Sequence, residues 1–266
     1  MNIGYVQFAP ALNDPDTTLS HLEKLLVKCE GADLVVLPEL CNSGYNFTSQ
    51  KEAEQNAEPM HGSRFIDFIT SKCRELGCHI VTGFNERDGD HIYNSAVLVG
   101  ADGPIGHYRK MHLFMNEKKY FQPGNVGLPV FKIGDVTVGI LICFDWIFPE
   151  TWRVLALKGA DVICHPSNLV LPDLAQRAVP VMALMNRVFI VMANRIGTED
   201  NLTFTGRSQI VDPKGVVLSE ADVREDEVTI VSIDPATARD KKATPLNDVF
   251  DDRRPQDYTR ICESES

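Results

Sequence analysis

Three side chains of this sequence could together perform nucleophilic chemistry, namely Glu39, Lys110 and Cys143. Each follows an apolar run or a turn and strand, at a point where a buried β-strand is expected to end. Taken singly, they have plainer interpretations as a solvated carboxylate, a solvated ammonium and a small buried thiol. Together, the carboxylate can accept the thiol proton while the ammonium stabilises a developing oxyanion. The sequence therefore predicts a cysteine-dependent nucleophilic site.

Cys143 lies where an apolar strand turns toward a helix. Residues 136–142 are almost uninterruptedly apolar, which predicts a strand buried on both faces of a parallel sheet. Pro149 and Glu150 suit the first turn of the next helix, and Gly159 suits its end. Because ligands bind at the carboxyl ends of strands in open α/β sheets, we expect Cys143 to face a substrate. We also expect the helix dipole to stabilise its thiolate.

The order of strands and helices recurs in the two halves of the chain. Residues 31–36, GADLVV, resemble residues 159–164, GADVIC, and each run leads to a proline two residues further on. Neither half has enough helix to cover both faces of its own sheet, whereas two stacked sheets with helices outside would bury all faces. The sequence therefore predicts an α/β fold, a four-layer α-β-β-α sandwich with an internal pseudo-twofold repeat.

The chain is predicted to form a single domain over residues 1–258. From about residue 235 its composition becomes polar, which indicates a C-terminal arm, and residues 259–266 are expected to be a frayed acidic tail.

Composition excludes several classes of protein. With 26 basic and 37 acidic residues, the chain lacks the basic surface that nucleic acids require. Its seven cysteines form no C-x-x-C pair, so we expect neither disulfides nor a zinc site, and a reducing cytoplasm fits best. No apolar run approaches the roughly 20 residues that span a bilayer, so no membrane association is expected.

Three motifs resemble the nitrilase superfamily of carbon–nitrogen hydrolases. They are DLVVLPELCNSGYNF at 33–47, YRKMHLFMNEKKYFQPG at 108–124 and VGILICFDWIFPETWRVLALKGAD at 138–161, and they follow one another in the family's order. The resemblance implies the same layered sandwich. It also implies a catalytic triad of Glu39, Lys110 and Cys143, with Glu117 as a second glutamate in the lysine loop.

The resemblance further implies a mechanism that needs no metal or other cofactor. Glu39 accepts the proton of Cys143, and the thiolate attacks the substrate carbon. Lys110 and the backbone N–H of Phe144 stabilise the oxyanion, and a thioester forms as ammonia or an amine leaves. Glu39 then activates the water that hydrolyses the thioester. Glu117 is expected to place substrate or water and to hold Lys110, although it could equally be a surface glutamate.

Several neighbours are candidates for substrate binding. Tyr45, Phe144 and Trp146 are either walls of the pocket or plain core aromatics. Asn168 lies just past the strand that mirrors the one before Glu39, so we expect it to face the pocket. The histidines at 112 and 165 are interpreted as hydrogen-bonded core groups, because the triad leaves them no proton to move.

The substrate is expected to be a small amide, although a nitrile is the second possibility. In strict nitrilases the nucleophile is commonly followed by Trp-Glu, whereas here it is followed by Phe144 and Asp145. That difference favours an amidase over a nitrilase of small aliphatic dinitriles or an N-carbamoyl hydrolase. Two non-enzymatic hypotheses are a catalytically silent binding module and a thiol redox sensor in which Cys164 approaches Cys143.

The chain is also expected to form a homodimer. The resemblance implies pairing through helices near the nucleophile. Residues 150–158 and 179–188 are apolar on more than one side, so each must bury a second stripe. The arm at 249–258, with Phe250 and Tyr258 among charged residues, is expected to cross to the partner.

Overall fold

The computed structural model describes residues 1–263. In chain order its strands are β1 (Asn2–Gln7), β2 (Leu34–Val36), β3 (Glu58–Pro59), β4 (His79–Asp88), β5 (His91–Gly100), β6 (Gly103–Arg109), β7 (Val130–Ile133), β8 (Val136–Ile140), β9 (Val162–Ser167), β10 (Phe189–Asn194), β11 (Thr198–Glu199), β12 (Leu202–Thr203), β13 (Gln209–Val211), β14 (Val217–Glu220), β15 (Glu227–Ser232), β16 (Lys242–Thr244) and β17 (Asn247–Asp248). Its α-helices are α1 (Pro15–Leu26), α2 (Gln50–Gln55), α3 (Arg64–Leu76), α4 (Glu117–Tyr120), α5 (Pro149–Leu157) and α6 (Leu174–Asn186).

Two mixed sheets carry the fold. The first has the strand order β15-β1-β2-β4-β5-β6, with the short β3 beside β4, and the second has the order β14-β13-β10-β9-β8-β7. In each sheet three consecutive neighbours are parallel, β1-β2-β4 and β8-β9-β10, and the strands on either side of them are antiparallel. The predicted α/β class is therefore confirmed.

The strands of the first sheet divide their side chains between two cores. Tyr5 and Val36 share a core with Ile140 of the second sheet, whereas Val6 and Val35 pack in a core with α1 and α3. This division follows from the alternation of side chains along a strand. One face of the first sheet thus packs with the second sheet, and the other packs with helices.

The core shared by the two sheets continues beneath α5 and α6. Trp152 and Leu155 of α5 belong to it, as do Val179 and Ala183 of α6. The strand β9 is buried over its whole length, because it has neighbours on both sides and packing on both faces. The predicted buried strand before Cys143 is β8, which is buried from residue 137 to 140 and pairs parallel with β9 but antiparallel with β7.

The strand before Cys143 is two residues shorter than its apolar run. It ends at Ile140, and the backbone N–H of Ile142 donates to the Asp145 carboxylate at 3.0 Å instead of continuing the ladder. The following helix begins at Pro149, as predicted, and the chain turns beyond it at Gly159, whose φ is 86°.

The C-terminal segment returns to the first sheet, where β15 pairs antiparallel with β1. Of the predicted tail, residues 259–262 form an exposed 3-10 turn, and residues 264–266 lie outside the described residues. Within residues 1–263, no helix is both long enough and apolar enough to cross a membrane.

Candidate active site

Lys110 contacts both Glu39, which lies at another strand end, and Glu117, which begins α4. Glu39 follows β2 and Lys110 directly follows β6, so both lie at ends of first-sheet strands. The Lys110 Nζ donates to Oε1 of Glu39 at 2.6 Å and to Oε1 of Glu117 at 2.7 Å. All three side chains are buried, and the lysine and Glu39 have no exposed surface. One ammonium therefore lies between two carboxylates in an environment that water does not screen.

The carboxylate of Glu39 keeps one oxygen free. Asn94 Nδ2 donates to its Oε1 at 2.7 Å, while its buried Oε2 accepts no hydrogen bond from any described residue. Asn168 Nδ2 donates to the backbone carbonyl of Glu39 at 3.0 Å. A Cβ at position 83 would lie 2.4 Å from the Glu39 Cα, so Gly83 permits β4 to approach this loop. The free oxygen is placed to accept a proton.

Glu117 accepts three hydrogen bonds. Besides the bond from Lys110, Tyr45 Oη donates to its Oε1 at 2.7 Å, and the Phe114 N–H donates to its Oε2 at 3.2 Å. Burial nevertheless raises the pKa of Glu117, and Lys110 only partly offsets this. Burial lowers the pKa of Lys110, but the attraction of both glutamates outweighs it and raises the pKa above its ordinary value. Lys110 is therefore a permanent cation.

The Cys143 thiol is buried, and its backbone has a φ of 43°, which is unusual for a residue other than glycine. Burial is the largest effect and raises its pKa well above the ordinary value, as does Glu39, while Lys110 lowers it. The prediction of a thiolate stabilised by a helix dipole is therefore wrong. Cys143 begins a 3-10 turn of five residues, and burial and the nearby carboxylates favour the protonated thiol.

Asp145 organises the turn that begins at Cys143. Its Oδ2 accepts from Ile142 N–H at 3.0 Å and from Tyr108 Oη at 2.8 Å. Its Oδ1 lies 2.7 Å from Nδ1 of His112. The carboxylate thus ties the turn to the end of β6. Sequence reasoning used Asp145 only as a family marker, and its place two residues after the cysteine was the available signal.

Two further side chains hold the same turn through its backbone carbonyls. His165 Nε2 lies 2.9 Å from the carbonyl of Cys143, and Trp152 Nε1 donates to the carbonyl of Trp146 at 3.2 Å. Burial lowers the pKa of His165 to about 4, so the ring is neutral and Nε2 donates. As predicted, both histidines are hydrogen-bonded, although His112 is partly exposed.

Two adjoining cavities open at this cluster. The smaller has an empty volume of about 240 Å³ and is lined by Phe114, Cys143, Phe144, Trp146, Asn168, Leu169, Val170 and Leu171. The larger, of about 550 Å³, contains Tyr45 and Glu117 in its wall and shares Phe114 and Val170 with the smaller one. Phe144, Trp146 and Asn168 thus lie beside the thiol, whereas Tyr45 lies on the Glu117 side.

Sequence reasoning missed Asn94, Phe114 and Val170. Asn94 is a buried polar residue within an otherwise largely apolar strand, which was a signal in the sequence. The other two have ordinary apolar side chains, and no sequence signal distinguished them.

Within residues 1–263, no group of three or more histidine, cysteine, aspartate or glutamate side chains could hold a metal ion.

The fold thus places a buried carboxylate, an ammonium and a thiol together, an arrangement that can support nucleophilic attack by cysteine. The sequence model of the carbon–nitrogen hydrolase family matches residues 2–243, so the chain belongs to that family. The resemblance to the nitrilase superfamily is thereby confirmed.

Similar proteins include both nitrilases and amidases. The chain is 48% identical to a nitrilase of Pyrococcus abyssi, over 98% of this chain and 100% of that one. It is 37% identical to an (R)-stereoselective amidase of Pseudomonas sp., over 88% of this chain and 85% of the amidase. Its structure resembles the crystal structure of an amidase from Nesterenkonia sp., with a TM-score of 0.81 and 25% identity over 98% and 96% of the two chains.

Proposed function

We propose that this carbon–nitrogen hydrolase converts small, uncharged nitriles to carboxylic acids and ammonia through a thioester on Cys143, and that it also hydrolyses the matching amides. The contact of Lys110 with Glu39 and Glu117 beside the buried thiol carries the chemical part of this proposal. The 48% identity to the Pyrococcus abyssi nitrilase moves the preference from amide to nitrile.

The first step adds the thiol across the carbon–nitrogen triple bond. Glu39 takes the proton of Cys143 on its free Oε2, the sulfur attacks carbon, and the proton passes to nitrogen, which gives a thioimidate. Two N–H groups of Lys110 already donate to Glu39 and Glu117, so the third is available for the developing negative charge. Because the resting thiol is protonated, proton transfer must accompany the attack.

The remaining steps release ammonia and then acid. Water adds to the thioimidate, and the tetrahedral adduct loses ammonia to leave a thioester. A second water, activated by Glu39, hydrolyses the thioester to a carboxylic acid and restores the thiol. An amide joins this route at the tetrahedral adduct, formed by direct attack of Cys143, so the same groups serve both substrates. Glu117 keeps Lys110 aligned throughout.

The cavity beside Cys143 supports an uncharged substrate. Apart from the thiol and the amide of Asn168, its lining side chains are apolar or aromatic. A substrate carrying a carboxylate or an ammonium would lose its hydration there without gaining an ionic partner. The cavity therefore favours short aliphatic or aryl groups. Phe144 and Trp146 would contact such groups, and Asn168 would contact the reacting end.

An amidase is the second candidate. It is supported by the Pseudomonas and Nesterenkonia relatives and by Phe144 and Asp145, which stand where strict nitrilases commonly have Trp-Glu. The choice can be tested with butyronitrile and butyramide, by measuring ammonia and butyric acid. We expect a higher kcat/KM for the nitrile. A higher value for the amide would reverse the assignment, and no ammonia from either substrate, with Cys143→Ala as blank, would refute both.

We further infer the four-layer α-β-β-α arrangement with a pseudo-twofold repeat. Its support is the matching pattern of parallel and antiparallel pairing in the two sheets, together with the core that they share. We also propose a reducing cytoplasm as the compartment, on the basis of seven cysteines that form no C-x-x-C pair in the sequence.

A homodimer is also proposed. Exposed apolar side chains lie on adjacent helices, with Val154 and Leu157 on α5 and Val181 and Leu184 on α6. Burying this surface against a second copy would remove it from water. The arm, however, begins on its own subunit, where Phe250 packs on the core beneath the Arg153 guanidinium. Only the part beyond Phe250 remains a candidate for crossing.

Light scattering of the full chain, and of a chain ending at Phe250, tests this assembly. We expect a dimer that weakens on truncation. A full-length chain that is monomeric and active at tens of micromolar would refute the dimer.

A further inference from the structure

A buried ion pair lies behind the loop that carries Tyr45. Arg195 directly follows β10, and Glu199 belongs to the β11–β12 hairpin. Nη1 of Arg195 lies 2.5 Å from Oε1 of Glu199, and both side chains are almost inaccessible to solvent. The proposed reaction uses neither charge. Because burying two charges is costly, and replacement by apolar side chains is often neutral or stabilising, the pair calls for a role besides stability.

The Glu199 carboxylate receives the backbone of the Tyr45 loop. It accepts from the N–H of Tyr45 at 3.1 Å and from the N–H of Asn46 at 2.7 Å. The backbone carbonyl of Glu199 accepts from Asn46 Nδ2 at 3.0 Å. Gly44 has a φ of 79°, and a Cβ there would lie 2.6 Å from the Leu12 Cα and 2.9 Å from Oε1 of Glu199, so glycine permits the loop to approach both.

Arg195 contacts both the Glu199 carboxylate and the aromatic ring of Phe204. Its Nη2 donates to the carbonyl of Pro10 at 3.1 Å, and its guanidinium lies over the Phe204 ring, 4.0 Å from the centroid. The Phe204 ring in turn meets Tyr45 edge-on, with centroids 5.8 Å apart. The Tyr45 backbone thus donates to Glu199, and the Tyr45 ring contacts Phe204, which packs on Arg195.

From these contacts we propose that Glu199, held by Arg195, is a positioning residue for the reaction. It fixes the Tyr45 loop so that the phenol donates to Glu117, which in turn holds Lys110. The proposal rests on the proposed function, because it assigns Glu117 a part in that reaction. The hairpin that carries Glu199 is then an element of the active site although the carboxylate contacts no substrate.

The expected signature is a displaced pH profile. The charged and titratable groups that face Glu117 are Lys110, Glu39, Tyr45 and Cys143. Burial raises the pKa of Glu117, and the phenol hydrogen bond lowers it. When the Tyr45 loop shifts, that bond is lost and the pKa rises further. Glu117 then becomes protonated at a higher pH, and the acid limb of the kcat/KM profile moves to higher pH.

The experiment compares Glu199→Asp and Glu199→Gln with Tyr45→Phe. The aspartate keeps a negative charge opposite Arg195, so it preserves the fold, but it is one methylene too short to reach both backbone N–H groups. The matched control is Thr203→Ala in the same hairpin, whose exposed hydroxyl hydrogen-bonds, among the described residues, only with the Thr198 hydroxyl. Two profiles are recorded for each variant: kcat/KM against pH, and alkylation of Cys143 by iodoacetamide against pH, resolved by peptide mass spectrometry.

We expect Glu199→Asp to reproduce the displacement of Tyr45→Phe in both profiles, with about a tenfold loss of kcat/KM on the acid side for a pKa change of one. The double variant Glu199→Asp/Tyr45→Phe should lose no more kcat/KM than either single variant. If Glu199→Gln does not fold, Glu199→Asp alone decides.

A wild-type profile in Glu199→Asp, or the same displacement in Thr203→Ala, overturns the positioning role. If the wild type releases no ammonia from nitriles or amides, the proposed function fails separately. The alkylation profiles still test the contact between Glu199, Tyr45 and Glu117 in that case.

Discussion

The two sheets present their reactive groups by different physical means. At the end of the first sheet, Glu39 and Lys110 are held by hydrogen bonds between charged or polar side chains, including one from Asn94. At the end of the second sheet, Cys143 is held by its backbone, through Asp145 and the His165 ring. The first region positions charges, and the second positions a neutral thiol at a left-handed φ.

This difference determines what a substitution should do. In the first region the ions neutralise one another in a buried environment, so removing one leaves an uncompensated charge. In the second region the reacting atom is neutral at rest, so removing it costs little folding free energy, while loosening its backbone changes geometry rather than charge. Substitutions at Cys143, Lys110, Asp145 and Asn94 separate the two effects.

Removing the nucleophile should have the largest effect on rate and almost none on stability. Cys143→Ala is expected to lower kcat by at least about 10⁴-fold, because no other described nucleophile lies in the cavity. Its unfolding free energy should change by only about 1 kcal/mol. Ammonia release and denaturant unfolding measure the two quantities. Retention of a tenth of the wild-type rate would show that another group attacks the substrate.

Removing the shared cation should damage both activity and stability. Lys110→Met leaves Glu39 and Glu117 buried without a counter-charge, which costs about 3–5 kcal/mol. The pKa of Glu117, already raised by burial, should then rise further. When a carboxyl has a higher pKa in the folded than in the unfolded state, the protein becomes less stable as pH increases. The deficit relative to wild type should therefore be smaller at pH 5 than at pH 8. Denaturant unfolding at both values checks this, and equal deficits would contradict it.

Loosening the nucleophile turn should lower the rate without moving its pH dependence. Asp145→Asn places an amide N–H₂ against groups that themselves donate, at a cost of about 1–3 kcal/mol. We expect kcat to fall roughly 10- to 100-fold, since a small misplacement of the attacking atom is expensive. Tyr108→Phe, which removes one of these donors, should show a milder form. A displaced pH profile in Asp145→Asn would mean that this region also positions charge.

Weakening the support of Glu39 should have the smallest effect. Asn94→Ala removes one hydrogen bond to Oε1 and leaves the bond from Lys110 in place, so kcat/KM should fall only about two- to tenfold and its pH profile should shift. Asn186→Ala is the matched control, because its amide donates only to the Met182 carbonyl within α6. An unshifted profile in Asn94→Ala would remove this residue from the control of charge at Glu39.

The sequence alone determined the α/β class and the identity of the residues that meet at the strand ends. Apolar runs predict buried strands whatever the details of packing. Glu39 and Cys143 follow such runs, and Lys110 follows a turn and a strand. Local chemistry also located the start of α5, because Pro149 is suited to a first helical turn. These features depend on neighbours in the chain, which a sequence displays directly.

Tertiary structure decided what those residues are bonded to and in which state they rest. Asn94 and Asn168 contact Glu39 across 55 and 129 positions of sequence, and Glu199 reaches Tyr45 across 154. The sequence can mark Asn94 by its place in a largely apolar strand and Asn168 by its place just past a strand, but no local pattern shows which distant residue each one contacts. The protonated thiol of Cys143 has the same origin. Its raised pKa comes from burial and from carboxylates that distant segments bring beside it, and neither exists before the sheets pack.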